Sequence, residues 1–140
     1  MINPSVTVEM LNHKFNNNMT KFLGIEYTAI GADFIAGKMP VSDKTKQPMG
    51  LLHGGASVVF AESLGSLASN LAVDHEKQYC VGLEVNANHI KSARDGFVYG
   101  YAKAIHFGKK THVWQIDITN EDKKLVCTSR LTVAVINKNK

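Results

Sequence analysis

A carboxylate stands inside an apolar run. Between Gln47 and Asn70 the chain reads QPMGLLHGGASVVFAESLGSLASN, and Glu62 lies between Phe60-Ala61 and Leu64. Burying a carboxylate is costly unless it is paired or does chemistry. An apolar setting also makes it a better base. Eight residues earlier is Gly54, in His53-Gly54-Gly55. The two glycines predict a tight turn, and the residues after them predict a helix. The first N–H groups of a helix have no partner within it, so they favour an anion or a polarised carbonyl oxygen. A carboxylate and an oxyanion-type donor on one short segment suit acyl transfer. Glu62 would then be the nucleophile or the general base that activates water. The plain alternative is that Glu62 projects from a partly exposed helix.

These groups need a frame. Ala56, Val59, Phe60, Leu64, Leu67, Ala68 and Leu71 follow the three-and-four rhythm of a buried helix face. The spacing predicts a helix from about Gly55 to Val73, ended by Asp74-His75-Glu76-Lys77. Its many Ala, Ser and Gly residues make it thin, so neighbours can approach closely. Before it, residues 4–15 predict a short amphipathic helix carrying Val6, Val8, Leu11 and Phe15, interrupted by Asn16-Asn17-Asn18. Met19 to Leu23 reads as a helical turn. Ile25 to Ile30 and Phe34 to Val41 read as a β-hairpin. After the helix, four strands are expected. Tyr79 to Ile90 sets Val81, Leu83 and Val85 against Gly82, Glu84 and Asn86. Phe97 to Phe107 places Phe97, Tyr99, Tyr101, Ile105 and Phe107 on one face. Thr111 to Thr119 and Leu125 to Ile136 complete the set, and the terminal NKNK is expected to fray. One long helix among about six strands is an α+β arrangement. No repeat or linker divides the chain, so residues 1–140 read as a single domain.

Composition narrows the function. With 44% hydrophobic and 20% charged residues, the 140-residue chain can bury a real core. No apolar run reaches the roughly 18 residues of a membrane span, and MINPSVTVEML lacks a signal-peptide pattern, so a cytoplasmic location is expected. The net charge of +4 suits an anionic ligand, but no nucleic-acid-binding signature accompanies it. Cys80 and Cys127 form no CxxC pair and read as core thiols. The six histidines show no zinc spacing, and no Gly-rich phosphate loop occurs. No metal or cofactor is expected.

The order Gln47, His53-Gly54-Gly55, then Glu62 in a small-residue helix resembles the hotdog-fold acyl-CoA thioesterases. The blocks LLHGGASVVFAESLGS, VGLEVNANHIKSAR, VWQIDI and CTSRLTVAV resemble the bacterial branch of that family that acts on aromatic acyl-CoA. The resemblance spans about Phe22 to Ile136. It implies a long central helix wrapped by a curved antiparallel sheet. It implies that Glu62 attacks, or directs water at, the thioester carbonyl. It further implies that the Gly54 N–H polarises that carbonyl, that Gln47 and His53 orient the thioester or support the loop, and that Ser66, one turn after Glu62, helps hold the water. Gly82, His89, Ile90, Lys91, Ser92, His106 and Thr111 fall along the implied path of pantetheine and nucleotide. Arg94, Lys109 and Lys110 are candidate partners for the phosphates. The partners implied are acyl-CoA, or an aryl carrier protein, and further copies of the chain in a homotetramer built as a dimer of dimers. No nucleic acid and no membrane are implied.

Each residue also has a plainer reading. His53 would satisfy loop backbone groups, Ser66 would only permit close packing, Gln47 would be loop polarity, and the lysines would be solvated turn charge. At the level of the whole chain, the alternatives are a noncatalytic hotdog module that binds acyl-CoA or a carrier protein, and a hotdog dehydratase.

Overall fold

The computed structural model describes residues 1–14 and 18–138. Phe15, Asn16, Asn17 and the last two residues of the expected frayed tail lie outside the described residues. In chain order the elements are α1 (Val8–Lys14), α2 (Met19–Phe22), β1 (Glu26–Ile30), β2 (Phe34–Pro40), α3 (Gly54–Leu71), β3 (Gln78–His89), β4 (Phe97–Phe107), β5 (Thr111–Thr119) and β6 (Leu125–Asn137). The strands form one six-stranded sheet in the order β1-β2-β4-β5-β6-β3, with every neighbouring pair antiparallel. Helix α3 packs against β2 through β6. The expected α+β architecture, a central helix against a curved antiparallel sheet, is the one observed.

The helix approaches the sheet so closely because the contact residues are small. Phe60 and Leu64 are fully buried and press on Gly37 of β2 and Gly100 of β4. A Cβ at Gly100 would come within 2.7 Å of Leu64 Cδ1 and 2.9 Å of the Phe60 ring. On the helix side, Gly65 admits Leu131 and Trp114. Trp114 is buried, and its Nε1–H donates to the buried Ser69 hydroxyl at 2.7 Å. The thin helix therefore buries Ser57, Phe60, Ala61, Leu64, Gly65, Ala68, Ser69 and Leu71. Val59 and Leu67 of the expected stripe are only partly covered.

Three expectations need correction. His53-Gly54-Gly55 is not a tight turn: neither glycine has positive φ, and Gly54 is already the first residue of α3. Gly50, at φ 78°, is the glycine in that segment that takes a left-handed conformation. The alternation along Tyr79 to Ile90 breaks, because the pairing with β6 shifts between Gly82 and Glu84. Val81 and Leu83 are exposed, whereas Val85, beyond the shift, is partly buried. On β4, Tyr99, Tyr101 and Ile105 face outward, while Val98, Gly100 and Ala102 face the helix. A second register shift, between Ala104 and His106, separates Phe107 from that outer set. Phe107 packs edge-on against Trp114 at 5.4 Å.

The two sheet edges differ. On β1, Asn12 of α1 brackets Tyr27: its Nδ2 donates to the Tyr27 carbonyl at 2.8 Å, and its Oδ1 accepts from the Tyr27 N–H at 2.9 Å. At Tyr27 that edge is occupied. On β3, the outer edge from Val81 to His89 carries no strand among the described residues.

Candidate functional site

Helix α3 positions three groups of residues along its length. The first is at its start. Gln47, Leu51, Leu52, Gly54, Ser57, His89, Ile90, Lys91, Ser92, Ala93 and Val126 line a cleft of about 290 Å³. Six of the expected site residues meet here: Gln47 and Gly54 from the loop and helix start, and His89, Ile90, Lys91 and Ser92 from the end of β3. Gly54 is glycine because His89 lies on it; a Cβ there would come within 2.7 Å of the imidazole Nε2. His53 is the N-cap, and its Nδ1 accepts from the Gly55 N–H at 2.8 Å. It thus supports the loop by satisfying a backbone group. The next two N–H groups, of Ala56 and Ser57, bond to the His53 carbonyl. The Gly54 N–H has no acceptor among the described residues. Gln47 turns its own loop, its Oε1 accepting from the Met49 N–H.

The second group is at mid-helix. Glu62 is half-buried, and among the described residues no hydrogen bond or ion pair engages its carboxylate. The carboxylate lies against Gly82 of β3, where any Cβ would collide with its Oε1. Gly82 therefore makes room for Glu62, a role that its glycine identity alone did not reveal. Ser66, one turn on, is also half-buried. Eight helical residues place Glu62 about 12 Å from Gly54 along the axis. Within one chain the carboxylate and the helix-start N–H are not adjacent.

The third group is at the far end of α3. Lys109 and Lys110, with Phe107, Gly108, His112, Ala72, Val73, Gln78 and Val135, line a second cavity of about 530 Å³. The Gly108 N–H bonds to the Thr111 carbonyl at 2.9 Å, closing the turn, and the exposed His106 side chain crowds Gly108. The candidate coenzyme residues are thus split between the two ends of the helix. Arg94 is exposed and does not line the first cleft. No three His, Cys, Asp or Glu side chains cluster in metal-binding fashion among the described residues. Cys80 and Cys127 are buried free thiols, and burial raises the pKa of both.

His112 was not among the sequence candidates. It is 4% exposed, its Nδ1 has no hydrogen-bond partner among the described residues, and Phe107 meets it edge-on at 5.0 Å. Burial is the main cause that holds its pKa below the ordinary 6.5, with the charges of the N-terminal amine and His106 adding to it. An unfolded chain binds this proton more readily than the folded one, so stability falls as pH drops below about 6.5. Thermal unfolding of His112→Phe is expected to lose part of the decline in Tm that the native chain shows between about pH 7.5 and about pH 5. An identical pH dependence in the two proteins would remove His112 from the account.

A long helix against a six-stranded antiparallel sheet is the hotdog fold. Residues 49–127 match the thioesterase superfamily, and the chain belongs to that family. It is 52% identical to the 1,4-dihydroxy-2-naphthoyl-CoA hydrolase of Escherichia coli over 131 residues, covering 94% of this chain and 96% of that enzyme. It is 42% identical to the proofreading thioesterase EntH of Cronobacter turicensis, covering 94% and 95%. Among solved structures, a mutant thioesterase from Pseudomonas aeruginosa superposes with a TM-score of 0.94 at 48% identity, covering 98% of this chain and 99% of the other. A thioesterase from Haemophilus influenzae superposes with a TM-score of 0.92 at 46% identity, covering 97% and 94%. No helix among the described residues is long and apolar enough to cross a membrane.

Proposed function

We propose that this thioesterase hydrolyses aromatic acyl-CoA thioesters, of the 1,4-dihydroxy-2-naphthoyl-CoA or benzoyl-CoA kind, to the free acid and CoA. The observation that carries the mechanism is a pair of groups on α3 with no partner among the described residues: the Gly54 N–H in an apolar-walled cleft, and the half-buried Glu62 carboxylate. Hydrolysis adds an oxygen nucleophile to the thioester carbonyl, builds charge on the carbonyl oxygen, and then breaks the C–S bond as the thiolate leaves and takes up a proton. The Gly54 N–H can meet the developing oxyanion without reorganising. Glu62 either takes the proton of the attacking water and passes it to the leaving thiolate, or attacks the carbonyl itself to give a mixed anhydride that water then hydrolyses to the acid and the free carboxylate; both routes use the free carboxylate. Ser66 stands on the same helix face, where it can hold that water. Leu51, Leu52, Ile90 and Val126 give the cleft an apolar lining suited to an aryl group. The naphthoyl substrate in the name of the 52% identical relative supports the same preference.

One chain leaves these groups apart, and a second chain accounts for that. The outer edge of β3 from Val81 to His89 is long, has no strand partner among the described residues and carries the exposed apolar Val81 and Leu83, while the shorter β1 edge has α1 packed on it and Asn12 bracketing Tyr27. Exposed edges are normally paired or protected. Antiparallel pairing of two β3 strands about a two-fold axis makes one continuous sheet and sets the two α3 helices antiparallel. The Gly54 cleft of one chain then approaches the half of its partner that bears Glu62, Lys109 and Lys110. Two such dimers make the proposed tetramer. Light scattering is expected to give no active monomer at working concentration, and an active monomer would overturn the composite site.

The substrate reading is tested by following thiol release from benzoyl-CoA with a disulfide reagent. Aromatic thioesters are expected to lead a panel of acyl-CoAs ranked by kcat/KM, with aryl-loaded carrier protein as a separate arm, since the relative EntH is named for proofreading. Highest kcat/KM on long aliphatic chains would reject the aromatic preference. Charge removal at Arg94, Lys109 or Lys110 is expected to raise KM for acyl-CoA by roughly three- to thirtyfold with kcat largely kept. The effect should shrink on a pantetheine thioester that lacks the nucleotide. Equal losses on both substrates would mean that these side chains do not meet the phosphates.

A further inference from the structure

Asn70 lies two turns beyond Glu62 on α3 and makes three hydrogen bonds. Its Nδ2 donates to the Ser66 carbonyl at 2.9 Å and to the Cys80 carbonyl at 3.1 Å, and its Oδ1 accepts from the Cys80 N–H at 2.8 Å. The same turn of helix is tied to the sheet twice more: Cys80 Sγ contacts the Ser69 carbonyl at 3.5 Å, and Trp114 donates to Ser69 Oγ at 2.7 Å. Asn70 thus takes both outward backbone groups of Cys80, as Asn12 takes those of Tyr27 on the opposite edge. The location differs in consequence. Cys80 is two residues before Gly82, the residue against which the Glu62 carboxylate rests. Within one chain, β6 is the strand that pairs with β3 among the described residues, and that ladder slips between Gly82 and Glu84. Strand pairing, whether to β6 or to a partner's β3, acts in the plane of the sheet and does not by itself set the spacing between Gly82 and the helix packed on that sheet. The Asn70 clamp holds it, because it joins α3 and β3 directly.

We propose that Asn70 is a positioning residue for thioester hydrolysis: by clamping β3 to α3 at Cys80, it sets Gly82 at the distance that fixes the Glu62 carboxylate. This rests on the reading of Glu62 as base or nucleophile. Displacement of a reacting group by about 1 Å can cost on the order of a hundredfold in rate, and partial loosening should cost less. The side chain touches no part of the cleft that receives substrate, so binding should be nearly unchanged.

The test is a double-mutant cycle on benzoyl-CoA hydrolysis, using folded full-length protein. Asn70→Ala is expected to lower kcat on the order of tenfold, with KM within about twofold. In the Glu62→Gln background the same change should lower the residual rate by less than about twofold, because the carboxylate it positions is gone. Equal factors on both backgrounds, or a native kcat in Asn70→Ala, would overturn the proposal. A Glu62→Gln enzyme that is itself near the native rate would instead sink the underlying mechanism, so the two failures are distinguishable. Asn70→Asp, which keeps the volume and the acceptor for the Cys80 N–H, replaces Asn70→Ala in the cycle if the alanine variant does not fold. On the native protein, the Cys80 amide is expected to exchange its hydrogen slowly, and fast exchange would show that the clamp does not hold.

Discussion

Glu62→Gln is expected to lower kcat for benzoyl-CoA by on the order of 10²–10⁴-fold, the range of a lost general acid–base or nucleophilic group, with KM largely kept. Glutamine matches the size of glutamate but neither takes a proton nor attacks. The fold should survive, because among the described residues no hydrogen bond or ion pair depends on this carboxylate. Single-turnover hydrolysis separates the chemical step from product release and is the decisive measurement. A near-native rate there would remove Glu62 from the mechanism. Glu62→Asp refines the result: shortening the arm should spare more activity if the carboxylate acts through water than if it must attack directly.

The second large effect is expected at Gly82. A valine there places its Cβ in the space of Glu62 Oε1. The obstacle is the far end of a flexible side chain, so the carboxylate swings away and the backbone stays. Gly82 is also exposed, so no core packing is disturbed. Gly82→Val is therefore expected to lower kcat by roughly a hundredfold while Tm changes little. Circular dichroism melts beside steady-state kinetics check both halves. Unchanged kcat in the folded variant would mean that Glu62 works from another rotamer and that Gly82 is not its seat. A large fall in Tm would point to a structural role for Gly82 in the β3 bulge.

Much of the frame was legible in the residues. The spacing of Phe60, Leu64, Ala68 and Leu71 declares a helix because one face of a 3.6-residue period must be buried. Trp114, Ile116 and Ile118 alternate on β5 because a strand shows one face to the core at every second residue, and all three are buried. Glu62 stood out by its cost in an apolar run, and Gly54 by its place at a helix start. These are local signals, and local physics suffices to read them.

Other features depended on contacts between distant segments. The bulges on β3 and β4 arise from cross-strand register, which no single segment encodes, and they part Val85 from Val81 and Leu83, and Phe107 from Tyr99 and Tyr101. Gly100 and Ala102 face the helix while Tyr99 and Tyr101 face out, because α3 lies too close for a larger side chain; hydrophobicity alone favours the reverse. The glycines of His53-Gly54-Gly55 suggested a turn, but Gly54 is small because His89, thirty-five positions away, rests on it. The open β3 edge, the clamp at Asn70 and the seat of Glu62 on Gly82 are likewise relations between elements. The residue types of the site were determined by the sequence alone, because each carries its chemistry with it. Which of them meet was decided only by the tertiary structure, because distance across a sheet is set by register and packing, not by position along the chain.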